Sequence, residues 1–262
     1  MMNTPSRGVL LFSFNNSLVD YNSIAVLNKK RIEHFYSLPV TIVSDSKIDS
    51  TAIVIEDESV STRHYKKLGQ AIFRNKSRFR ALELSPYDET ILLDVDYIVN
   101  TPLINNIWNG KSLKVSVSAI DITGLPIPSD TIKLANDSLP MYWATIICFN
   151  KKCLASQKFF RNWKYIVDNY KIYQELLKFP DQLRNDFAVT LALYKTTNYS
   201  LVTDFDLPVP IVTAFENQWL EFNKFLVCRD ESTSLLCTSD VHVINKRGLL
   251  ECLKHTEFSA LL

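Results

Sequence analysis

The stretch "ETILLDVDYIV", residues 89–99, decides how this chain is read. Ile91, Leu92 and Leu93 run into Asp94, Val95 and Asp96, and apolar residues resume at Tyr97. A compact run of this kind reads as a buried strand. Side chains two apart on a strand share a face. Two carboxylates on one face would repel each other and resist burial. At the carboxyl end of a strand in a parallel sheet, that face opens on the crevice where α/β proteins bind ligands. A divalent cation resolves the repulsion, and Mg²⁺ or Mn²⁺ commonly takes one or two carboxylates plus substrate phosphates. Asp94 and Asp96 are therefore candidate metal ligands at a nucleotide diphosphate site. The spacing alone is unspecific, and a strand that ends in an exposed turn also produces it. A phosphatase with an aspartyl nucleophile fits less well. Its D-x-D sits on the first strand before a threonine, whereas here three expected strands come first and Tyr97 follows.

Upstream, "GVLLFSF" (8–14) reads as a buried strand closed by Asn15 and Asn16. Val19, Ala25, Val26, Ile32 and Phe35 fall at roughly helical spacing, with a start at Ser17, Asp20 three residues on, and a stop at Pro39. "VTIVSDS" (40–46) and "TAIVIED" (51–57) give second and third strands. Strand, helix and strand in this order predict a βαβ unit on a parallel sheet. Residues 62–84 read as helical, and "SLKVSVSAI" (112–120) as one further strand. Residues 121–140 hold three prolines and read as an irregular loop, long enough to be functional or mobile. "MYWATIICF" (141–149) is a strand, 155–178 and 182–195 are helices, and "DVHVIN" (240–245) contains a short strand. The aromatics of "FFRNWKYIVDNYKIYQELL" are assigned to core packing.

Bulk properties narrow the function classes. The 262 residues are 47% hydrophobic and 22% charged, with a net charge of +1, so a globally basic nucleic-acid binder is not indicated. The 5 cysteines form no C-x-x-C pair, which fits reduced thiols better than a disulfide framework. "GVLLFSF" is too short for a signal peptide, and no run approaches the roughly 20 apolar residues that span a bilayer. A cytoplasmic protein with no membrane partner is expected. No repeat or linker divides the chain.

With these segments in place, "SPYDETILLDVDYIV" resembles the D-x-D segment of glycosyltransferases with the GT-A fold. More narrowly, it is similar to a set of phage-encoded glycosyltransferases. "GVLLFSFNN" and "LPVTIVSDS" resemble that group's nucleotide-binding first strands, "MYWATIICFNK" its strand past the active-site loop, and "RNDFAVTLALY" its late helix. The resemblance implies an α/β, GT-A-like (Rossmann-like) fold with a mixed, mainly parallel sheet flanked by helices. It implies one domain over 1–262, with a nucleotide-sugar half at about 1–120 and an acceptor half at about 121–262. The implied activity moves a sugar from a nucleotide diphosphate-sugar, a UDP-sugar by expectation, to a hydroxyl acceptor with Mn²⁺ or Mg²⁺ as cofactor.

Carried over by position, Asp94 and Asp96 would be the D-x-D and His242 in "DVHVINK" the third metal ligand. Asp186 in "RND" would be the catalytic acidic residue, orienting or deprotonating the acceptor. Arg78 and Lys246 would meet the diphosphate, and Phe14, Asn15, Trp143, Arg184 and Asn185 complete the expected substrate-binding set. The glycine that often follows such a histidine is absent here. The phage resemblance implies a hydroxymethylated base in DNA, such as 5-hydroxymethylcytosine, as acceptor, and the host cytoplasm as location. A glycan or protein acceptor, a nucleotidyltransferase of similar fold and a non-catalytic nucleotide-sugar binding module are the alternatives.

Blander readings stand beside these. Asp186 could pair with Arg184 or Arg161 as a surface charge, and His242 between Val241 and Val243 could be structural. "RHYKKLGQAIFRNKSRFR" (63–80) holds seven Lys or Arg and no acid; it reads as a solvated helix, or as one that tracks a phosphate backbone.

Overall fold

A run of apolar residues long enough to be buried on both faces forms a central strand. Arg7–Ser13 (β1) is buried from Gly8 onward. The computed structural model describes residues 6–57, 61–65, 68–74, 76–102, 113–127, 131–134, 137–179, 182–198, 205–207, 209–215, 219–222, 226–230, 233–236 and 239–253.

Tyr21–Tyr36 (α1) follows, three residues later than a start at Ser17 would place it. The delay has a local cause. The Asn16 carboxamide oxygen accepts from the N–H groups of both Leu18 and Val19, each at 2.9 Å, and holds this segment in a turn. Asp20 is the residue that caps the helix, accepting from the Ser23 N–H at 3.1 Å. Val40–Ser44 (β2) runs parallel to β1, and Ile53–Val54 (β3), shorter than expected, runs parallel to β2.

Ser61–Tyr65 (β4) and Gly69–Phe73 (β5) form an antiparallel hairpin where a helix over 62–84 was expected. The helical spacing fails because the burial alternates: Gln70 and Ile72 face solvent while Ala71 is buried. Gly69 takes φ 107°, a conformation open to glycine. Only a 3-10 turn at Lys76–Arg80 and the short Ala81–Leu84 (α2) are helical.

Glu89–Leu93 (β6) pairs with β1 in parallel. Next come Tyr97–Ile98 (β7), Lys114–Ser116 (β8) and Ala119–Asp121 (β9). The single strand expected over 112–120 is thus two strands, and they belong to different sheets. The irregular loop expected over 121–140 contains another antiparallel hairpin, Thr131–Leu134 (β10) with Asp137–Pro140 (β11). Trp143–Asn150 (β12), Leu154–Asp168 (α3), Tyr170–Leu177 (α4) and Asn185–Thr196 (α5) complete the middle of the chain. The last part runs Ile211–Ala214 (β13), Trp219–Phe222 (β14), Leu226–Asp230 (β15), Thr233–Leu236 (β16), Val241–Val243 (β17) and Lys246–Leu253 (α6).

The main sheet has the order β3-β2-β1-β6-β12-β8. Its first four strands are parallel, and β12 is antiparallel to both β6 and β8. A second sheet, β7-β17-β13-β9, lies beyond the carboxyl end of β6 in the chain path. This is the mixed, mainly parallel α/β architecture that the sequence implied. Strand alternation divides the core. Val9, Leu11, Ile91 and Leu93 pack with Ile24, Ala25 and Ile32 of α1. Leu10, Leu92 and Ile147 pack on the other side with Phe159, Phe160 and Trp163 of α3 and Ala188 and Leu191 of α5. Each such large side chain contributes about 1.5–3 kcal/mol when fully buried. Among the described residues, no helix is long and apolar enough to cross a membrane.

Gly8 packs directly against an aromatic ring. A Cβ there would come within 2.4 Å of the Tyr87 ring. That ring is tethered, since its hydroxyl lies 2.9 Å from Thr41 Oγ1. Gly8→Ala is expected to lose about 1–3 kcal/mol by overpacking. Denaturant unfolding checks this, and an unchanged midpoint would mean that the ring yields freely.

Candidate active site

Strand β6 delivers Asp94 to the carboxyl edge of the main sheet, where its N–H donates to the Thr145 carbonyl at 3.0 Å. Asp94 and Asp96 do not lie on the strand itself, as the sequence suggested. They occupy the tight turn after it, closed by the Tyr97 N–H donating to the Asp94 carbonyl at 3.1 Å. The turn is held from behind by α1. The buried Asn28 amide donates to the carbonyls of Tyr97 (2.7 Å) and Val95 (3.3 Å), and its oxygen accepts from the Val99 N–H at 3.2 Å. Arg31 donates to the Val99 carbonyl at 2.7 Å. One helix therefore fixes the backbone on which the acidic pair sits.

The histidine arrives from far along the chain. β17 pairs with β13 in parallel and with β7 antiparallel, placing His242 opposite Tyr97. The Val243 N–H donates to the Asp96 carbonyl at 2.9 Å. His242 Nε2 then lies 3.6 Å from Asp96 Oδ1 and 3.9 Å from Asp94 Oδ2. Asp94, Asp96 and His242 each offer a ligand atom, all within 4.8 Å of one another. Burial lowers the His242 pKa and outweighs the nearby carboxylates, so the ring is held neutral, the form that ligates metals. Two carboxylate oxygens and one imidazole nitrogen can together hold a divalent cation.

Each carboxylate also has its own cation. Arg78, only 2% exposed, donates from Nη1 to Asp94 Oδ1 at 2.6 Å and from Nη2 to the Ala144 carbonyl at 3.0 Å. Lys246 Nζ donates to Asp96 Oδ2 and to the Val243 carbonyl. The two carboxyls part in consequence. Burial pushes Asp94 up, with Asp96 adding to the rise and Arg78 opposing it. Burial also acts on Asp96, but the Lys246 ammonium, by its charge and its hydrogen bond, holds the carboxyl below the usual value.

These groups line a cavity of about 270 Å³. Phe14, Arg78, Trp143, Arg184, Asn185, Asp186 and Lys246 are on its wall with the three metal-site residues. Asn15 is not; its oxygen accepts from the Asn22 N–H at 2.8 Å, which ties it to the start of α1. Asp186 lies in the first turn of α5. Its Oδ1 accepts from the Ala144 N–H at 2.9 Å, and its Oδ2 is 3.3 Å from Arg184 Nη2. The Arg184 pairing weighed from sequence is thus present, on the cavity wall and not out in solvent. Three buried nitrogens on this wall, Arg78 Nε, Trp143 Nε1 and His242 Nδ1, have no hydrogen-bond partner among the described residues.

The sequence reading missed Arg63, Phe73 and Arg74, which also line the cavity. All three come from the β4–β5 hairpin and its exit. Arg63 stacks over the Phe73 ring at 5.1 Å, and Arg74 pairs with Asp45 at 2.7 Å. No sequence signal marked this pairing, because Ile72 is exposed while the smaller Ala71 is buried. Lys66 and Lys67 of the basic run lie outside the described residues.

No family model matches the chain, and no curated protein matches it. Among solved structures, it is similar to the glycosyltransferase GlyE of Streptococcus pneumoniae TIGR4, with 12% identity, 74% of this chain and 44% of that chain covered, and a TM-score of 0.42. It is similar to the galactosyltransferase LgtC in complex with donor and acceptor sugar analogs, with 12% identity, 71% and 70% covered, and a TM-score of 0.43. It is also similar to the bifunctional IspDF from Campylobacter jejuni, with 15% identity, 70% and 46% covered, and a TM-score of 0.36. The chain spans less than half the length of GlyE and of IspDF.

Proposed function

We propose that this chain is a metal-dependent glycosyltransferase that moves a sugar from a nucleotide diphosphate-sugar, a UDP-sugar, to a hydroxyl acceptor. One observation carries the reading: Asp94, Asp96 and His242 converge, with ligand atoms within 4.8 Å, on a cavity wall that also holds Arg78 and Lys246. Asp94, Asp96 and His242 would hold Mn²⁺ or Mg²⁺. When bound, the ion supplies charge stabilisation for a departing diphosphate. Arg78 and Lys246 add two fixed cations at the same wall, and both are buried, where their charge acts with little screening. Asp186 keeps Oδ2 toward Arg184 and acts on the acceptor hydroxyl, orienting it or taking its proton. Trp143 and Phe14 give the sugar and base apolar surface and keep water out.

A glycan or other compact acceptor is favoured over DNA. The DNA reading came from the phage resemblance, with a basic helix over 62–84 as its contact to phosphates. Ser61–Tyr65 and Gly69–Phe73 pair as strands instead, and Arg63, Arg74 and Arg78 line the cavity.

Calorimetric titration with UDP, with and without Mn²⁺, tests the donor half of this reading. UDP binding that needs Mn²⁺ is the expected result. Equal binding in both conditions would remove the metal-dependent mechanism and favour a passive binding module. A panel of UDP-sugars with glycan acceptors and with hydroxymethylated DNA then tests transfer. Release of pyrophosphate from nucleoside triphosphates, with no sugar transfer, would mark a nucleotidyltransferase.

A further inference from the structure

Helices α3 and α4 carry an outward arc of exposed apolar and basic side chains that the core does not use. Their core-facing residues are Phe159, Phe160, Trp163, Ile166, Val167 and Tyr170. Yet four of the large exposed apolar side chains also lie here: Leu154 at 62%, Tyr165 at 50%, Ile172 at 62% and Leu176 at 71%. The helices are nearly continuous. They break only at Asn169, whose N–H bonds the Tyr165 carbonyl at 3.1 Å and whose carbonyl accepts from the Tyr173 N–H at 3.4 Å. At about 100° per residue, Leu154, Lys158, Arg161, Tyr165, Ile172 and Leu176 fall within about 60° of arc, directly opposite the core-facing set. Scattered exposed apolar residues need no explanation, but a stripe in line does.

The charge around the stripe identifies the occupant. Residues 154–178 contain Lys158, Arg161, Lys164, Lys171 and Lys178 against Asp168 and Glu175, so +5 and −2 leave +3 on this segment of a chain whose net charge is +1. The Asp168 carboxylate is taken up by Lys164 at 2.5 Å. Lys195 adds a further cation, 4.4 Å over the Tyr165 ring. A second copy of this chain would set like charges against each other. A convex helix with aliphatic side chains outermost and Lys or Arg stems beside them has the form that lies in a membrane interface: the apolar groups enter shallowly and the cations reach the headgroups. We infer that the α3–α4 face binds the surface of an anionic bilayer, peripherally and without spanning it. Four positions in the chain, 178–181, separate the end of α4 from Gln182 on the cavity wall.

The inference is independent of the glycosyltransferase reading, and its test needs no turnover. The full chain is co-sedimented with phosphatidylcholine vesicles and with vesicles containing about a third phosphatidylglycerol, at low and high salt. Binding to the anionic vesicles alone, weakened by salt, is expected. The double substitution Ile172→Glu, Leu176→Glu should reduce it by about tenfold or more. Both positions are exposed, so the melting temperature and UDP binding should not change. Binding of the double variant at wild-type strength, or no binding to either vesicle, overturns the inference. So does a concentration-dependent dimer that the double variant abolishes, which would make the stripe a self-interface. Vesicle binding that is lost equally in a Lys158→Glu, Arg161→Glu variant supports the basic contribution; unchanged binding there counts against it.

Discussion

Asp96→Asn should weaken Mn²⁺-dependent UDP binding by about a hundredfold or more and also lower the stability of the fold. The first effect follows from losing one of three converging ligands. The second follows from Lys246, whose ammonium is buried and donates to the Asp96 carboxylate. Breaking a buried pair by removing one partner typically costs about 3–5 kcal/mol, because a charge is left without compensation. A companion variant separates the two. Asp96→Asn with Lys246→Met removes both charges, so stability should return toward the wild type while Mn²⁺ binding stays lost. Calorimetry with Mn²⁺ and thermal melting read the two effects independently. Mn²⁺-dependent UDP binding that survives Asp96→Asn would refute the proposed metal site. Failure of the second substitution to restore stability would refute the buried-charge account.

The largest purely structural effect is expected at Asp240. Its Oδ1 accepts from the N–H groups of Asn100 (2.7 Å) and Thr101 (2.8 Å) and from Thr101 Oγ1 (3.0 Å), and its Oδ2 accepts from the Tyr36 hydroxyl at 2.6 Å. Asp240→Ala strands these donors in a buried place. A loss of about 3–5 kcal/mol is expected. At about 2–4 °C per kcal/mol for a chain of this size, melting should fall by roughly 10 °C. Asp240→Asn keeps the acceptor oxygen and removes the titration. Burial pushes the Asp240 carboxyl above 3.8, and its hydrogen bonds only partly oppose this. With a raised folded pKa, the folded state binds the proton more tightly than the unfolded state. The contribution is therefore fully present below 3.8 and is lost as pH rises through the raised folded value. Relative to the Asn variant, the wild type should lose stability across that window. A difference that is flat with pH would contradict the raised carboxyl.

The residues that could be read from the chain are those whose meaning is local. Ile91–Leu93 before Asp94 marks a buried strand wherever it sits, and β1 and β2 show themselves the same way. His242 was placed at the metal only through the resemblance. Between Val241 and Val243 it says no more than strand, because what brings it to Asp94 and Asp96 is a pairing with Tyr97 across the chain. The β4–β5 hairpin was misread because seven basic residues in 63–80 sit comfortably on a helix or a strand, and Gln70, Ala71 and Ile72 do not alternate in polarity although they alternate in burial. Residues 112–120 alternate without a break, so nothing local shows that β8 and β9 part into separate sheets. Asn15 came with Phe14 from the resemblance of "GVLLFSFNN", and its carboxamide oxygen is taken up by the Asn22 N–H instead.

The placement of β17 has a consequence for the order in which the molecule assembles. Asp96 and Lys246 are separated by 150 positions in the chain, and Asp240 reaches Asn100 across 140. Contacts of such span carry a large loop-closure cost and form late. Strands β1, β2 and β6 can pair long before, which leaves Asp94 and Asp96 for a time without His242 or Lys246. The acidic turn then has Arg78 as its near cation, a contact over only 16 positions. Full metal affinity should therefore appear in the slowest refolding phase, together with the closing of the C-terminal strand, and not with the collapse of the main sheet.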